Sequence, residues 1–214
     1  MSSASRISTL LVILVAVTAF MAGVYLALPA PREDGAADIE GLLWPNPPQV
    51  GAFALTDARG QRFDETKLDE RWTLMFFGFT HCPDVCPGTL TTLKAVADRL
   101  ASNPQFAAHG QVVFVSVDPE RDTPEVLQRY VAHFDPFFIA ATAPAAELAA
   151  FTSQLGILHA RVNLEGDEYT IDHTASIILI GPERERLAVF SAPHLPEDLA
   201  GRVTRIIEWM ESEQ

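Results

Sequence analysis

Residues 72–79 read WTLMFFGF, eight consecutive positions without a charge. A run this short cannot cross a bilayer, which takes ~20 apolar residues. It also lacks the apolar/polar alternation of a strand with one wet face. What remains is a strand buried on both sides, and such a sheet needs helices above and below it. Residues 111–117 (QVVFVSV) repeat the pattern. Elsewhere the spacing turns helical. Leu90, Leu93, Ala97 and Leu100 form one stripe within 87–102. Thr123 is placed to cap a helix that opens on Pro124 and buries Leu127, Tyr130, Val131 and Phe134. Residues 145–155 present Leu148, Phe151 and Leu155, and Gly156 ends that helix.

Shorter segments complete the order. Residues 52–55 and 61–63 flank Asp57-Ala58-Arg59-Gly60 as a hairpin. Residues 138–141 make a short strand, and 161–171 a small excursion, a hairpin around Glu165-Gly166-Asp167. Residues 176–180 and 187–190 form an antiparallel pair around Gly181-Pro182, and 196–214 a closing amphipathic helix. The order is hairpin, then β-α-β-α-β-α, then β-β-α. It predicts an α/β domain over residues 49–214 with a mainly parallel sheet, the thioredoxin-like plan with an amino-terminal hairpin extension.

The chain ahead of that domain differs in kind. Residues 7–28 carry no charge and would reach ~33 Å as a helix, enough for a bilayer core of ~30 Å. Arg6 precedes the block and no acid does, so residues 1–6 are expected in the cytoplasm and the domain outside it. The block exceeds a secretory core, and Leu28-Pro29-Ala30-Pro31 is a poor cleavage site; an uncleaved transmembrane anchor is expected. Residues 29–48, rich in proline, read as a stiff linker. The expected location is the bacterial inner membrane, single-pass, with the carboxy-terminal domain in the periplasm. Asp plus Glu is 28 against 15 Lys plus Arg, which argues against nucleic-acid binding.

Strand 72–79 runs into Thr80-His81-Cys82-Pro83-Asp84-Val85-Cys86-Pro87-Gly88. In parallel sheets chemistry collects where a strand's carboxyl end meets a helix. Pro87 suits a first helical position, which makes Cys86 the cap and sets Cys82 in the loop before it. Amide N–H groups there favour a thiolate, while Asp84 opposes one. A four-residue separation puts the sulfurs one turn apart, within reach of a disulfide or of one shared metal ion. A purely structural bridge would close only five residues, worth ~2 kcal/mol in the chain-entropy model.

Two thiolates select copper(I) or zinc, and an added imidazole also suits copper(II). Of the six histidines, His109, His159 and His194 are assigned to connections and His133 to a helix end, while His81 adjoins Cys82 with a diverging side chain. His173 differs. Asp172-His173-Thr174-Ala175 immediately precedes strand 176–180, and in a thioredoxin-like sheet that loop lies beside the cysteine loop. It has a histidine where a proline is usual, so His173 can complete a site with Cys82 and Cys86. Asp172 is a candidate to orient it.

The segment from Gly78 to Pro87, the stretch Val115-Ser116-Val117-Asp118-Pro119-Glu120-Arg121-Asp122-Thr123-Pro124, and Asp172-His173-Thr174 together resemble the SCO/SenC family of copper-binding assembly proteins. The second motif, taken alone, reads as a turn plus a helix cap. The resemblance implies copper bound by Cys82, Cys86 and His173, as Cu(I) or Cu(II). It also implies delivery to the copper A centre of cytochrome c oxidase subunit II or another cuproprotein, after loading by a periplasmic copper donor. As alternatives, the fold and the cysteine pair also allow a thiol–disulfide oxidoreductase cycling Cys82 and Cys86, or a redox or copper sensor. Gly88 stands where the family commonly has threonine.

Overall fold

The computed structural model describes residues 13–21, 46–166 and 168–212. The chain divides into two compact units, residues 1–38 and 39–214. In the first, residues 13–21 are helical with exposed side chains. No helix among the described residues is long and apolar enough to cross a membrane. The remainder of the expected span 7–28, and residues 29–45 of the expected linker, lie outside the described residues.

The second unit is built on a seven-stranded sheet. Its strands are β1 (Ala54–Asp57), β2 (Arg62–Asp64), β3 (Trp72–Gly78), β4 (Gly110–Ser116), β5 (Ile139–Thr142), β8 (Ile177–Ile180) and β9 (Arg186–Phe190). Two further strands, β6 (His159–Asn163) and β7 (Tyr169–His173), form a separate antiparallel hairpin. The helices are α1 (Val85–Leu100), α2 (Pro104–His109), α3 (Pro124–Ala132), α4 (Ala145–Leu155) and α5 (Pro196–Ser212). Sheet order is β2-β1-β5-β4-β3-β8-β9. The expectation of a mainly parallel sheet is corrected. Only β3–β4 and β4–β5 run parallel, whereas β1–β2, β1–β5, β3–β8 and β8–β9 run antiparallel. The amino-terminal hairpin docks on the outer edge of β5 and covers what would be an open strand edge.

Every residue of β3 is buried, as its composition requires. The steps β3→β4→β5 go in one direction, so right-handed crossovers put α1 and α3 on the same face. Phe76 and Phe114 meet on that face, and Phe114 meets Tyr130 of α3. The chain then returns across the sheet, and α4 covers the opposite face, where Phe151 touches Phe53 and Phe77. Helix α5 packs against α1.

Local capping rules account for the starts of α2 and α3 and the end of α4. The Thr123 side chain accepts the Val126 N–H at the start of α3, and Gly156 ends α4 at φ 70°, a left-handed conformation that favours glycine. Helix α2 was not anticipated. Its signal is Asn103-Pro104, in which the Asn103 side chain accepts the N–H groups of Gln105 and Phe106 and Pro104 opens the helix. His109 is accordingly the last residue of a helix rather than a loop residue.

Candidate metal centre

Three segments converge at one end of the sheet because of strand direction. β3 and β4 are parallel, so their carboxyl ends, Gly78 and Ser116, lie side by side. β8 is antiparallel to β3, so its amino end, Ile177, lies opposite Phe76. The cysteine loop, the 117–123 loop and residues 173–176 therefore meet there.

Helix α1 begins at Val85, two residues earlier than Pro87 suggests. Asp84 takes the cap position, without a side-chain cap bond, and Cys86 is the second helical residue, not the cap. The cap bond comes instead from sulfur, since Cys82 Sγ accepts the Cys86 N–H at 3.3 Å. Cys86 is fully buried and Cys82 half-exposed; both are free thiols. Burial pushes the Cys86 thiol up, and hydrogen bonding with Cys82 adds to this. The Cys86 sulfur has room only because residue 78 is glycine. A Cβ there would lie 2.7 Å from Cys86 Sγ and 3.0 Å from the Phe114 ring.

His173 is the last residue of β7 rather than part of a loop. Its Nε2 lies 3.4 Å from Cys86 Sγ, while Nδ1 faces the Thr174 carbonyl oxygen at 3.2 Å. A proton on Nδ1, donated to that oxygen, leaves the Nε2 lone pair directed at the sulfurs. The backbone carbonyl thus does what was expected of Asp172, whose side chain is exposed. Phe76 and Phe79 hold the ring edge-on, with centroids 6.1 and 5.9 Å away. Burial lowers the His173 pKa, which favours the neutral, ligating form. The ligand atoms of Cys82, Cys86 and His173 all lie within 4.8 Å of one another, and among the described residues they are the one such group of three. Two soft sulfurs and an imidazole form a donor set suited to copper or zinc.

The remaining histidines stay outside this group. His81 is exposed, with Nδ1 3.8 Å from the buried Asp122 carboxylate, and His194 contacts the Ala175 carbonyl oxygen through Nε2. His133 closes α3, and His159 opens β6 rather than sitting in a connection.

The Asp118–Pro124 stretch does more than turn and cap. Asp122, fully buried, accepts the Thr80 N–H at 2.9 Å, the Thr80 hydroxyl at 2.5 Å and the Ser116 hydroxyl at 2.5 Å. It thereby pins the chain two residues before Cys82. Asp118 pairs with Arg121 and accepts the Tyr169 hydroxyl at 2.8 Å. The Tyr169 ring lies between the guanidinium groups of Arg121 and Arg161, each 3.6 Å from its centroid. This clamp seats the hairpin that carries His173. The signal in the sequence was the pair of acids four residues apart at the end of a buried strand.

The SCO1/SenC family model matches residues 45–208. The chain belongs to the SCO1/SenC family. Its sequence is 33% identical over 157 residues to the mitochondrial SCO1 homolog 1 of Arabidopsis thaliana, covering 73% of this chain and 46% of that protein, so it spans about half the relative's length. The crystal structure of Arabidopsis ScoI with copper bound superposes with a TM-score of 0.70 at 33% identity, over 75% of this chain and 99% of that one. Bradyrhizobium japonicum ScoI with copper bound gives 0.66 at 34% identity, over 74% and 99%. These likenesses agree with the thioredoxin-like α/β fold expected of the SCO/SenC domain.

Proposed function

We propose that this SCO1/SenC protein is a copper chaperone. Copper is its cargo, held by Cys82, Cys86 and His173 and passed to cytochrome c oxidase subunit II or another cuproprotein after loading by a periplasmic donor. The observation that carries the reading is the approach of His173 Nε2 to 3.4 Å from Cys86 Sγ, although 87 residues separate them in the chain. Copper-bound relatives of the same fold support the choice of metal. Cys82 is the half-exposed ligand, suited to be the first exchanged with an incoming thiolate. In this reading residues 7–28 anchor the protein in the bacterial inner membrane, residues 29–48 hold the domain off it, and the domain works in the periplasm.

The full chain titrated with copper should bind one equivalent, with thiolate-to-copper(II) charge-transfer absorption. His173→Ala should weaken binding and shift that absorption. An unchanged spectrum and affinity in the variant would remove His173 from the site. Deleting the gene should lower oxidase activity and added copper should restore it; full activity without the gene would refute the delivery role.

One observation favours a second reading, a thiol–disulfide oxidoreductase. The pair is asymmetric: Cys82 is accessible and accepts an amide N–H, whereas Cys86 is buried with a raised pKa. That is the division between an attacking and a resolving thiol. Reduction of a partner disulfide that survives in His173→Ala would support it.

A further inference from the structure

His159 and His173 are direct register partners across the β6–β7 hairpin. Their neighbours define the type of pair. Thr174 donates its N–H to the Leu158 carbonyl oxygen at 2.9 Å, and Leu164 donates to Glu168 at 2.9 Å. Even-numbered residues of β6 therefore sit in hydrogen-bonded pairs, and the odd-numbered pair His159–His173 is non-hydrogen-bonded. In that pairing the Cα atoms approach ~4.5 Å and side chains on the shared face are closest. The shared face turns inward: Ile171 is buried on it, and Tyr169 stacks there with Arg161. The His159 imidazole is half-buried beside a cavity of about 450 Å³, lined also by Val117, Asp118 and Tyr169. It makes no hydrogen bond, ion pair or ring contact among the described residues. A half-buried imidazole with both nitrogens unengaged, next to a ligating imidazole, is a donor in reserve.

We propose that His159 supplies a fourth ligand when the site holds copper(II). The inference rests on the three-ligand reading above. Two thiolates and one imidazole satisfy copper(I), whereas copper(II) takes tetragonal sites in which nitrogen is a favoured donor. The His159 nitrogens lie outside the group of ligand atoms within 4.8 Å of one another, so the fourth bond requires a side-chain rotation of His159 across the hairpin, whose register sets it opposite His173.

The test uses the full chain loaded with copper(II), prepared with ¹⁴N- or ¹⁵N-histidine and read by pulsed electron paramagnetic resonance. Two coupled imidazoles in the parent, falling to one in His159→Ala, are expected. The variant should also lose at least about tenfold in copper(II) affinity, the scale on which even outer partners of a metal act, with copper(I) affinity changed less than twofold. Exogenous imidazole should restore the two-nitrogen signal. One coupled imidazole in the parent overturns the proposal while leaving Cys82, Cys86 and His173 in place, and it does so whether or not the variant folds. Failure of the parent to bind copper overturns both readings.

Discussion

Two glycines near the centre, Gly78 and Gly88, are predicted to respond to alanine with opposite signs. A Cβ at position 78 would stand 2.7 Å from Cys86 Sγ, 3.0 Å from Phe114 Cε2 and 3.4 Å from Phe76 Cε1. Ordinary heavy-atom contact is ~3.5 Å or more, so the sulfur or the strand must give by about 0.8 Å. Neither has free space: Cys86, Phe76 and Phe114 are all 0% exposed. Overpacking of this kind costs about 1–3 kcal/mol. For Gly78→Ala a loss of about 1–2 kcal/mol remains once the smaller entropy of the unfolded alanine chain is counted. A metal site tolerates only ~0.2 Å in ligand distance, so the same shift should cost copper affinity at least about tenfold. At position 88, inside α1, a Cβ meets nothing within 4 Å. Gly88→Ala should therefore stabilise the helix by about 0.5–1 kcal/mol and leave the site alone. Urea midpoints and copper titrations of the full chain measure both. A Gly78→Ala protein with parental midpoint and parental affinity would refute the claim that glycine makes room for the sulfur.

Other outcomes follow from the supporting residues. Asp122→Ala strands three donors, the Thr80 N–H and the hydroxyls of Thr80 and Ser116, and should cost about 3–5 kcal/mol in denaturant unfolding; a loss under about 1 kcal/mol would mean the cysteine loop does not depend on it. Tyr169→Phe removes the bond to Asp118 but keeps the stacked ring, for about 1 kcal/mol. Tyr169→Leu removes both, and faster hydrogen exchange at the Thr170 amide, which sits in a hydrogen-bonded pair with Val162, should report a loosened hairpin. Burial pushes the Glu185 carboxyl up, and its Oε2 has no hydrogen-bond partner among the described residues. The folded state then binds that proton more tightly than the unfolded state, so stability from this group is greatest below the ordinary carboxyl pKa and is lost as pH rises through the raised value. Glu185→Gln should match the parent near pH 4 and exceed it increasingly toward neutrality in urea midpoints; a constant difference would refute the assignment.

Much of this protein could be read locally. The apolar runs at β3 and β4, the capped start of α3 and the glycine stop of α4 are short-range patterns, and each folds where its periodicity says. The cysteine pair at a strand–helix junction was likewise legible, because strand, loop and helix are contiguous. The two-residue error at α1 arose because Cys82 sulfur, rather than a standard cap side chain, accepts the early amide. The two flanking hairpins were legible, but their antiparallel joins to the centre, β1 on β5 and β8 on β3, were not, since these are chosen by which edges remain uncovered after the central strands pair.

The sequence by itself determined the donor types: soft sulfur four residues apart, and an imidazole before a strand. Only the tertiary structure decided their geometry. Gly78 leaves room for one sulfur, the Thr174 carbonyl selects the nitrogen of His173, and Asp122 and Tyr169 tie two loops to the same place. The reason is range. Periodicity and capping act over a few residues, whereas contacts spanning 42 and 51 positions exist only after the sheet has brought those segments to one end.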